Sequence, residues 1–414
     1  MRVLLVSANK EQINMPTLPL GLACVAAATQ NVGHEVKVID LMAETDTAAI
    51  MKKAIGVFQP NVIGISVRNI DDQNMANPKH FLDQAREVVT NCRAFSKSPI
   101  VLGGPGYSIF PESALDYLGA DMGIQGEGEN CFPVLLEHME RNRPLSGLPN
   151  LYLHGRGLQG ARKFTMDLDI FPLPDPVLLS TSLYEGEDFW VPVQTRRGCP
   201  VRCSYCSTET IEGCLVRKRS PGVIVRWLAQ WVEAGFTRFH FVDNTFNLPP
   251  SYARALCSCI IDAGLDISWR CILYPGNVDE NLVREMAKAG CREVSIGFES
   301  GCDRILKRMN KSFVSRQVRR ASKILGDNGI GQMGFLLLGG PGETKASVEE
   351  SLAFTDSLGL DAVKVTIGIR IYPYTRLSEI AAEEGMIAED DDLLFPRFYI
   401  VRELEDWLQE TVRA

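Results

Sequence analysis

The sequence predicts an α/β protein, in which an N-terminal doubly wound parallel (Rossmann-like) sheet is followed by a partial (β/α)6 barrel. Short runs rich in β-branched residues alternate with helical patterns in the first 140 residues, and the alternation resumes after residue 189 with six further βα units. Between the two stretches, residues 141–188 are rich in Pro, Gly and Leu. These observations predict two domains joined by a linker.

The first 140 residues contain five predicted strands separated by helices. The strands lie at 2–6, 36–39, 62–67, 100–102 and 122–124, and the helices at 18–29, 46–57, 79–94 and 111–118. Strand–helix alternation of this kind gives a parallel sheet with helices on both faces. Ligands of such sheets bind at the carboxyl ends of the strands, where this sequence is unusually small or polar.

Residues 141–188 are predicted to be a surface linker, because the run FPLPDP at 171–176 excludes helix. The next domain is expected over 189–375, with strands at 190–195, 238–242, 267–273, 293–298, 332–338 and 362–369. A short C-terminal extension, 376–414, carries an acidic run at 389–392 and a final amphipathic helix near 402–412.

Composition limits the function classes. The chain has 414 residues and a net charge of −8, which argues against a nucleic-acid partner. The longest apolar runs, 20–28 and 333–338, are shorter than the roughly 18 residues of a membrane span. The apolar start of the chain is typical of a first strand rather than a signal peptide, so a cytoplasmic location is expected. There the 12 cysteines should be thiols or metal ligands.

Three of these cysteines, Cys199, Cys203 and Cys206, have the spacing C-x3-C-x2-C directly after a predicted strand. Gly198 and Pro200 favour a loop there. A structural zinc site usually takes four ligands, and the only further cysteine nearby is Cys214. Three ligands leave one metal position open, as a catalytic site requires. A zinc loop and three buried thiols remain the alternatives.

With Tyr205 as the aromatic residue, the segment resembles the signature C-x3-C-x-aromatic-C of the radical SAM superfamily. The resemblance implies a 4Fe–4S cluster on the three cysteines, with S-adenosylmethionine (SAM) chelating the remaining iron. It also implies SAM contacts from Glu299, in VSIGFESG, and from Leu336, in GFLLLGGPGET. An ion-paired or solvated Glu299 and a plain core role for Leu336 are the alternatives.

The sequence departs from the superfamily after the second strand of this domain. Many members carry Gly-Gly-Glu-Pro there, whereas this chain has Asp243 and Asn244 at the start of DNTFN. Either residue could bind the methionyl part of SAM. The alternative is an Asx turn that ends the strand.

The N-terminal half is similar to the cobalamin-binding domain of one class of these enzymes. Together with the resemblance of the second half to the radical SAM superfamily, the likeness covers roughly 1–135 and 190–375. It rests on PLGL at 19–22, GHEV at 33–36, LGGP at 102–105 and GEGE at 126–129. The implied cobalamin-binding residues are Ser66, Arg68, Gly103, Gly104, Pro105, Gly126, Glu127 and Gly128. Glycines would let the backbone approach a bulky ligand. Ordinary βα turns are the alternative.

The sequence lacks the motif Asp-x-His-x-x-Gly, whose histidine coordinates cobalt in other cobalamin proteins. Cobalt should therefore lack a protein imidazole, and Arg68 is a candidate for the residue nearest its lower face. An arginine on a phosphate or an acidic group is the alternative.

The resemblance implies a cobalamin-dependent radical SAM C-methyltransferase, in which a 5′-deoxyadenosyl radical activates the substrate and methylcobalamin methylates it. A small-molecule or peptide substrate and an electron donor such as flavodoxin or ferredoxin are expected. Candidate substrate contacts at predicted strand ends are Trp269, Arg270, Tyr372 and Tyr374. A rearrangement without methyl transfer, or a non-catalytic cobalamin and iron–sulfur sensor, remain alternatives. A tRNA methylthiotransferase is disfavoured, since the N-terminal half has no second cysteine triad.

Overall fold

A computed structural model describes residues 1–11, 17–42, 44–178 and 189–412, without the side chain of residue 412. The chain forms two compact units. The first comprises residues 1–72, 78–189 and 210–213, and the second comprises residues 73–77, 190–209 and 214–414. Residues 179–188 of the predicted linker and the last two residues of the predicted extension lie outside the described residues.

A seven-stranded sheet forms the centre of the first unit, with the order β2-β1-β3-β4-β5-β6-β7. The strands are β1 (Arg2–Ser7), β2 (Glu35–Asp40), β3 (Val62–Ser66), β4 (Ile100–Gly103), β5 (Met122–Ile124), β6 (Leu151–Leu153) and β7 (Gly157–Leu158). The helices are α1 (Leu20–Asn31), α2 (Thr47–Phe58), α3 (Leu82–Phe95), α4 (Pro105–Ile109), α5 (Pro111–Leu118) and α6 (Gly128–Glu140). The first five strands are parallel, which confirms the predicted sheet.

The central strands of this sheet are apolar because they are covered on both faces. In β1, residues Val3 to Val6 are each at most 1% exposed, which is typical of a parallel sheet between two helical layers. One layer of the core joins Leu5 of β1 to Leu22 of α1 and to Phe132 and Leu135 of α6. Because β1 to β5 run the same way, their carboxyl ends meet at one edge.

The prediction of a bare linker over 141–188 is wrong for part of that segment. Residues 151–153 and 157–158 form β6 and β7, an antiparallel hairpin that extends the sheet beyond β5. Gly155 and Gly157 have φ of 67° and 62°, and these left-handed conformations allow the tight turn that joins β6 to β7. Leu151 is buried in the same core as Phe132. Strands of two and three residues are too short for an alternating pattern to reveal them.

A six-stranded parallel sheet forms the second unit, with the order β15-β14-β13-β12-β11-β8. Its strands are β8 (Val191–Val193), β11 (Arg238–Phe241), β12 (Ser268–Leu273), β13 (Cys291–Glu299), β14 (Gly331–Leu338) and β15 (Ala362–Ile367). The accompanying helices are α8 (Pro221–Glu233), α9 (Pro250–Asp262), α10 (Glu280–Lys288), α11 (Asp303–Arg308), α12 (Ser315–Asp327) and α13 (Lys345–Asp356). Helix α7 (Thr208–Glu212) has residues in both units. Each strand lies beside its predecessor in this series, as the partial (β/α)6 prediction requires.

The two faces of this second sheet differ. On one face, Phe298 of β13 contacts Phe354 of α13, and Leu338 of β14 packs with Val348 of α13. Successive side chains of a strand point to opposite faces. The other face, which we call the open face, therefore carries His240, Arg270, Ile272, Phe335 and Leu337. Glu299 follows at the irregular end of β13.

Short elements complete the second unit. They are the antiparallel pairs β9 (Arg196–Arg197) with β10 (Arg217–Lys218) and β16 (Ile369–Arg370) with β17 (Phe398–Tyr399), and the helices α14 (Arg376–Glu383) and α15 (Glu405–Val412). Ile400, Leu404 and Leu408 pack on Leu338 and Val348, so the C-terminal segment covers this part of the sheet. Among the described residues, no helix combines the length and apolarity that crossing a membrane demands.

Candidate functional site

The cysteine loop follows β9 and is held in place by main-chain contacts. Gly198 begins the loop with φ of 86°, and the Cys206 N–H donates to the Cys203 carbonyl at 3.1 Å. The Ser204 N–H donates to the Met309 carbonyl at 3.0 Å, and the Leu377 N–H donates to the Ser204 carbonyl at 2.8 Å. The three cysteines are half-buried thiols, so the loop presents them at a surface that a ligand can reach.

Beside this loop, Glu299, Tyr205 and Lys311 form a compact polar group. The Tyr205 hydroxyl donates to Glu299 Oε1 at 3.0 Å, and Lys311 Nζ lies 2.9 Å from the Tyr205 hydroxyl and 3.3 Å from Glu299 Oε1. The Lys311 side chain is 6% exposed and that of Glu299 is 14% exposed. Of the three, the sequence analysis missed Lys311, although it follows the Glu299 segment closely.

Glu299 has a left-handed backbone conformation, with φ of 64°, at the carboxyl end of β13. The register with β14 shifts between Ile296 and Glu299, so the strand is irregular there. Such backbone costs about 1–3 kcal/mol and is found most often at binding and catalytic sites. The irregularity therefore fits a residue held in place for a ligand.

The charges of this group are mutually dependent. Burial alone would lower the pKa of Lys311, but the neighbouring Glu299 and Cys203 raise it above its ordinary value. Burial, together with Glu299, raises the pKa of the Tyr205 hydroxyl, which stays a hydrogen-bond donor. Burial also raises the pKa of the Cys203 thiol, and Lys311 acts in the opposite direction. A cation and an anion thus stand side by side next to the thiols.

The donor set fits an iron–sulfur cluster. In the residues that the structure describes, no three Cys, His, Asp or Glu side chains gather closely enough to hold a single ion. A cubane differs from an ion, since each thiolate binds its own iron and three cysteines of one loop suffice. Cys206 also has a polar neighbour, Thr208 Oγ1 at 3.1 Å from its sulfur, and Thr208 in turn contacts Asn244 Oδ1 at 3.5 Å. Asn244 therefore lies near the cysteine loop.

Asp243, a predicted SAM contact, has its carboxylate occupied by groups of this chain. Its carboxylate accepts hydrogen bonds from the Thr195 N–H at 2.7 Å, the Thr195 hydroxyl at 2.6 Å and the Arg196 N–H at 2.8 Å. It also pairs with the Arg196 guanidinium at 3.1 Å, and both side chains are at most 3% exposed. Arg196 in turn lies over the rings of Phe246 and Tyr252. Asp243 thus anchors the segment that leads into the cysteine loop.

Leu336, a predicted SAM contact, is a buried residue of β14. It is 1% exposed and lies on the same face of β14 as Leu338, which packs on α13. That face meets the helices, so Phe335 and Leu337 lie on the open face instead. Both faces of β14 are apolar near its end, so the sequence pattern does not tell the two sets of residues apart.

The turn after β14 is built around Glu343, a residue that the sequence analysis did not assign. One carboxylate oxygen of Glu343 accepts the N–H groups of both Gly339 and Gly340. Burial raises the pKa of Glu343 to about 7, although these two hydrogen bonds act in the opposite direction. Glu343 thereby fixes the two glycines that end the strand.

The predicted substrate contacts are separated by the structure. Trp269 is fully buried on the helix-facing side, where it contacts Phe241 and Phe246, so it is a core residue. Arg270 lies on the open face with its guanidinium 4.7 Å from the Trp190 ring. Tyr372 is buried, and Tyr374 is 86% exposed just after β16. Arg270 and the exposed Tyr374 remain able to meet a ligand.

In the first unit, the carboxyl ends of β3 and β4 meet through glycines. The Val67 N–H donates to the Gly103 carbonyl at 2.8 Å, and the Gly106 N–H donates to the Val67 carbonyl at 3.0 Å. Gly104 has φ of 98°, and a Cβ there would lie 2.6 Å from the Val67 carbonyl oxygen and 2.9 Å from Ser66 Oγ. Ser66, Arg68 and the turn from Gly103 to Pro105 thus share one edge. These residues fit a bulky ligand, because a Cβ on Gly103 would meet only one atom within 4 Å.

The GEGE segment, which was predicted to bind cobalamin, makes several contacts within the protein. A Cβ on Gly128 would lie 2.7 Å from Val25 of α1, and Gly126 has φ of 83°. Glu127 is buried and accepts the Thr165 N–H at 2.8 Å. Ser108, which the sequence analysis missed, joins the two turns: its hydroxyl donates to the Gly104 carbonyl and accepts the Gly126 N–H.

Substitutions at the two adjacent glycines should separate fold from binding. We expect Gly103→Ala to leave the thermal unfolding temperature unchanged and to weaken hydroxocobalamin binding by about tenfold, since its Cβ projects into open space. Gly104→Ala should lower the unfolding temperature as well, because its Cβ meets the Val67 carbonyl. Absorbance titration with the corrinoid and calorimetry measure both. Wild-type affinity in Gly103→Ala would contradict a cobalamin cleft at this turn.

Comparisons with known proteins cover both units. The model of the radical SAM superfamily matches residues 193–355, and that of the B12 binding domain matches residues 7–136. An uncharacterized methyltransferase of Pyrococcus horikoshii is 30% identical over 399 residues, which span 94% of this chain and 84% of that protein. The tryptophan 2-C-methyltransferase of Streptomyces laurentii is 23% identical, over 91% of this chain and 74% of its own length.

Among solved structures, the fold is similar to that of the radical S-adenosylmethionine methyltransferase TsrM from Kitasatospora setae, determined with cobalamin and a 4Fe–4S cluster bound. The TM-score is 0.82 at 23% identity, and the match covers 92% of this chain and 75% of that one. At this identity the likeness establishes the fold.

Proposed function

The chain belongs to the radical SAM superfamily, in the group that carries an N-terminal B12 binding domain, and we propose that it methylates a carbon atom of a small molecule. The named relatives are methyltransferases, and they share most of their length with this chain. The protein is thus an enzyme whose cofactors are a 4Fe–4S cluster, SAM and cobalamin. We place the cobalamin-binding domain at residues 1–140 and the radical SAM domain at residues 189–375.

When bound, the cluster supplies an electron, SAM supplies the methyl group, and cobalamin carries that group to the substrate. The residues of this chain bind and orient these groups. Cys199, Cys203 and Cys206 are the proposed cluster ligands, and Tyr205 fixes Glu299 beside them. This placement of a paired anion and cation next to the cysteine loop is the observation that carries the proposal.

The amino acid part of SAM is a zwitterion, and the pair of Glu299 and Lys311 offers a partner for each of its charges. The Glu299 carboxylate can accept hydrogen bonds from the SAM ammonium, and the Lys311 ammonium can donate to the SAM carboxylate. Without SAM the two side chains satisfy each other at 3.3 Å, so neither is buried as an unpaired charge. Asn244, through Thr208, provides a further polar group at the same edge.

We expect the double variant Glu299→Gln/Lys311→Met to fold and load iron like the wild type but to bind SAM at least about tenfold more weakly. Removing both partners avoids leaving one buried charge alone, while the SAM zwitterion loses two charge-assisted hydrogen bonds. Equilibrium dialysis with cluster-loaded protein measures the affinity.

Glu293→Gln is the matched control, because Glu293 is another half-buried glutamate of β13. That variant should bind SAM normally. Wild-type affinity in the double variant would exclude these two residues as the SAM contacts.

At the other cofactor, we propose that Ser66, Arg68, Gly103, Gly104 and Pro105 line the cobalamin cleft. Arg68 follows β3, and its carbonyl oxygen would lie 3.0 Å from a Cβ on Gly106, so its position is tied to the glycine turn. A guanidinium cannot ligate cobalt, and near the lower face it would disfavour a positively charged six-coordinate metal. Arg68 would thereby keep the metal ready to exchange its methyl group.

For the substrate, Arg270 and Phe335 on the open face and the exposed Tyr374 offer a cation and aromatic rings. We therefore favour a small molecule with an aromatic ring or an anionic group. The electron donor is proposed to be a flavodoxin or a ferredoxin. All twelve cysteines are free thiols, which suits a reducing compartment, so we propose a cytoplasmic enzyme.

The test of this function uses anaerobically reconstituted enzyme with hydroxocobalamin, reductant and SAM labelled in its methyl group. Tryptophan is the first probe, followed by a fractionated metabolite extract. We expect label first on the isolated corrinoid and then on a carbon of one metabolite. Formation of 5′-deoxyadenosine with an altered but unlabelled product would support a rearrangement and overturn methyl transfer.

A further inference from the structure

One segment of this acidic chain is strongly basic. The chain carries a net charge of −8, yet residues 302–325 contain eight Lys or Arg and a single acidic residue, Asp303. Lys311 is buried in the site already described. Six other basic side chains are exposed on α11 and α12. We call them the basic edge, and they are Arg304, Lys307, Arg308, Arg316, Arg319 and Arg320.

The basic edge adjoins the loop that holds the cluster ligands. The carbonyl of Met309, one residue after α11, accepts the Ser204 N–H at 3.0 Å. The amide of Asn310 donates to the Arg202 carbonyl at 2.6 Å. Helix α12 follows β13 and runs back along the sheet, so its first turns, with Arg316, lie at the carboxyl edge of the strands. The end of α11, with Lys307 and Arg308, is therefore tied to the cysteine loop, and Arg316 lies at the same edge of the sheet. Arg319 lies further along α12, where it donates to the carbonyl of Ser357 at the end of α13.

The charge of the basic edge is available to a partner. Within the described ranges, none of the six side chains forms an ion pair with a carboxylate. Arg304 donates to the Gly342 carbonyl at 2.8 Å, and Arg319 donates to the Ser357 carbonyl at 3.4 Å, which fixes the side chains without neutralising them. A surface of one sign steers a partner of the opposite sign to the site beside it.

We propose that the basic edge is the docking surface for an acidic one-electron donor protein that delivers an electron to the cluster. The inference rests on the proposed function, because an electron donor would dock here only if the cysteine loop holds a redox cluster. One electron passes from the reduced donor to the oxidised cluster, and no atom is transferred. Docking at the basic edge places the donor next to the protein ligands of the cluster.

The test compares two charge-reversed variants with the same change in net charge. Lys307→Glu/Arg316→Glu alters the basic edge, whereas Arg284→Glu/Lys288→Glu alters exposed residues of α10. Stopped-flow spectroscopy follows reduction of the cluster by reduced flavodoxin, and fluorescence anisotropy follows binding of labelled flavodoxin to the cluster-free protein. Photoreduced 5-deazaflavin, a small reductant that needs no docking surface, is used in parallel.

We expect the basic-edge variant to be reduced by flavodoxin about tenfold more slowly at low salt, and to bind it correspondingly more weakly. The α10 variant should behave like the wild type, and deazaflavin should reduce all three proteins alike. A wild-type rate with flavodoxin in the basic-edge variant, or equal slowing in both variants, would overturn the proposal. A further result would also overturn the proposal: the wild type binds a random RNA tightly, and the basic-edge substitutions abolish that binding while flavodoxin binding persists.

A failure of the proposed function has a different signature. If deazaflavin cannot reduce a cluster in the wild-type protein, the radical SAM assignment of the cysteine loop fails, whatever the basic edge binds.

Discussion

The Cys203→Ala protein should fold, bind hydroxocobalamin and yet contain almost no cluster after anaerobic reconstitution. Cys203 is the middle ligand of the loop, and the loop is held by main-chain bonds from Ser204 to Met309 and Leu377 that do not involve the thiol. Two remaining thiolates cannot retain a cubane that needs three protein ligands. Iron and sulfide analysis, together with absorbance near 400 nm, measures the loss. Methyl transfer should disappear with the cluster.

Cys214→Ala is the matched control for this substitution. Cys214 lies close to the loop, where Arg202 Nη2 approaches its sulfur at 3.3 Å, but it is outside the C-x3-C-x2-C spacing. Its variant should retain the cluster. If Cys214→Ala lost iron and Cys203→Ala retained it, the assignment of the three ligands would have to be revised.

The sequence predicts the cysteine loop and the order of the strands because both depend on local spacing. Cys199, Cys203 and Cys206 lie within eight residues of one chain segment, and the six parallel strands follow one another along the chain. Each of these features can be recognised without knowing what any other segment contacts. They account for the fold and for the proposed cluster ligands.

The contacts of individual polar residues could not be predicted in the same way. Asp243 and Asn244 are adjacent in the sequence, but Asp243 is buried against Arg196 and Asn244 reaches Thr208 near the thiols. The pairing of β11 with β8 brings Asp243 to Thr195 and Arg196, and these contacts decide which neighbour takes which role. Likewise, Leu336 and Leu337 are equally apolar, and the helix that covers β14 determines which of them faces the helices.

Lys311 could not be assigned a role from the sequence for a similar reason. It lies twelve residues after Glu299, and a short helix, α11, brings it back to the same carboxylate. The sequence does place Phe313 two residues after Lys311. In the structure the Lys311 ammonium lies over the ring of Phe313. The sequence cannot tell which of eight cations in one segment is the buried one.

The Asp243→Asn protein should lose about 3–5 kcal/mol of unfolding free energy, as expected when one partner of a buried ion pair is removed. Arg196 would remain 3% exposed without a carboxylate, although the carbonyl oxygen of the introduced amide could still accept backbone N–H groups of the cysteine-loop segment. Denaturant unfolding of the cluster-free protein measures this cost without interference from iron. The double variant Arg196→Met/Asp243→Asn should recover part of the stability, because no buried charge is then left unpaired.

Comparing Asp243→Asn with Asn244→Ala distinguishes an anchoring role of Asp243 from a direct contact between Asp243 and SAM. Asn244 is the next residue, and its contact with Thr208 is weak at 3.5 Å, so the variant should unfold like the wild type. If Asp243 were itself a SAM ligand, Asp243→Asn would weaken SAM binding at nearly wild-type stability. The buried bonds of Asp243 to Thr195 and Arg196 predict a different result. Asp243→Asn should lower the stability, whereas any loss of SAM affinity in Asn244→Ala should occur at unchanged stability.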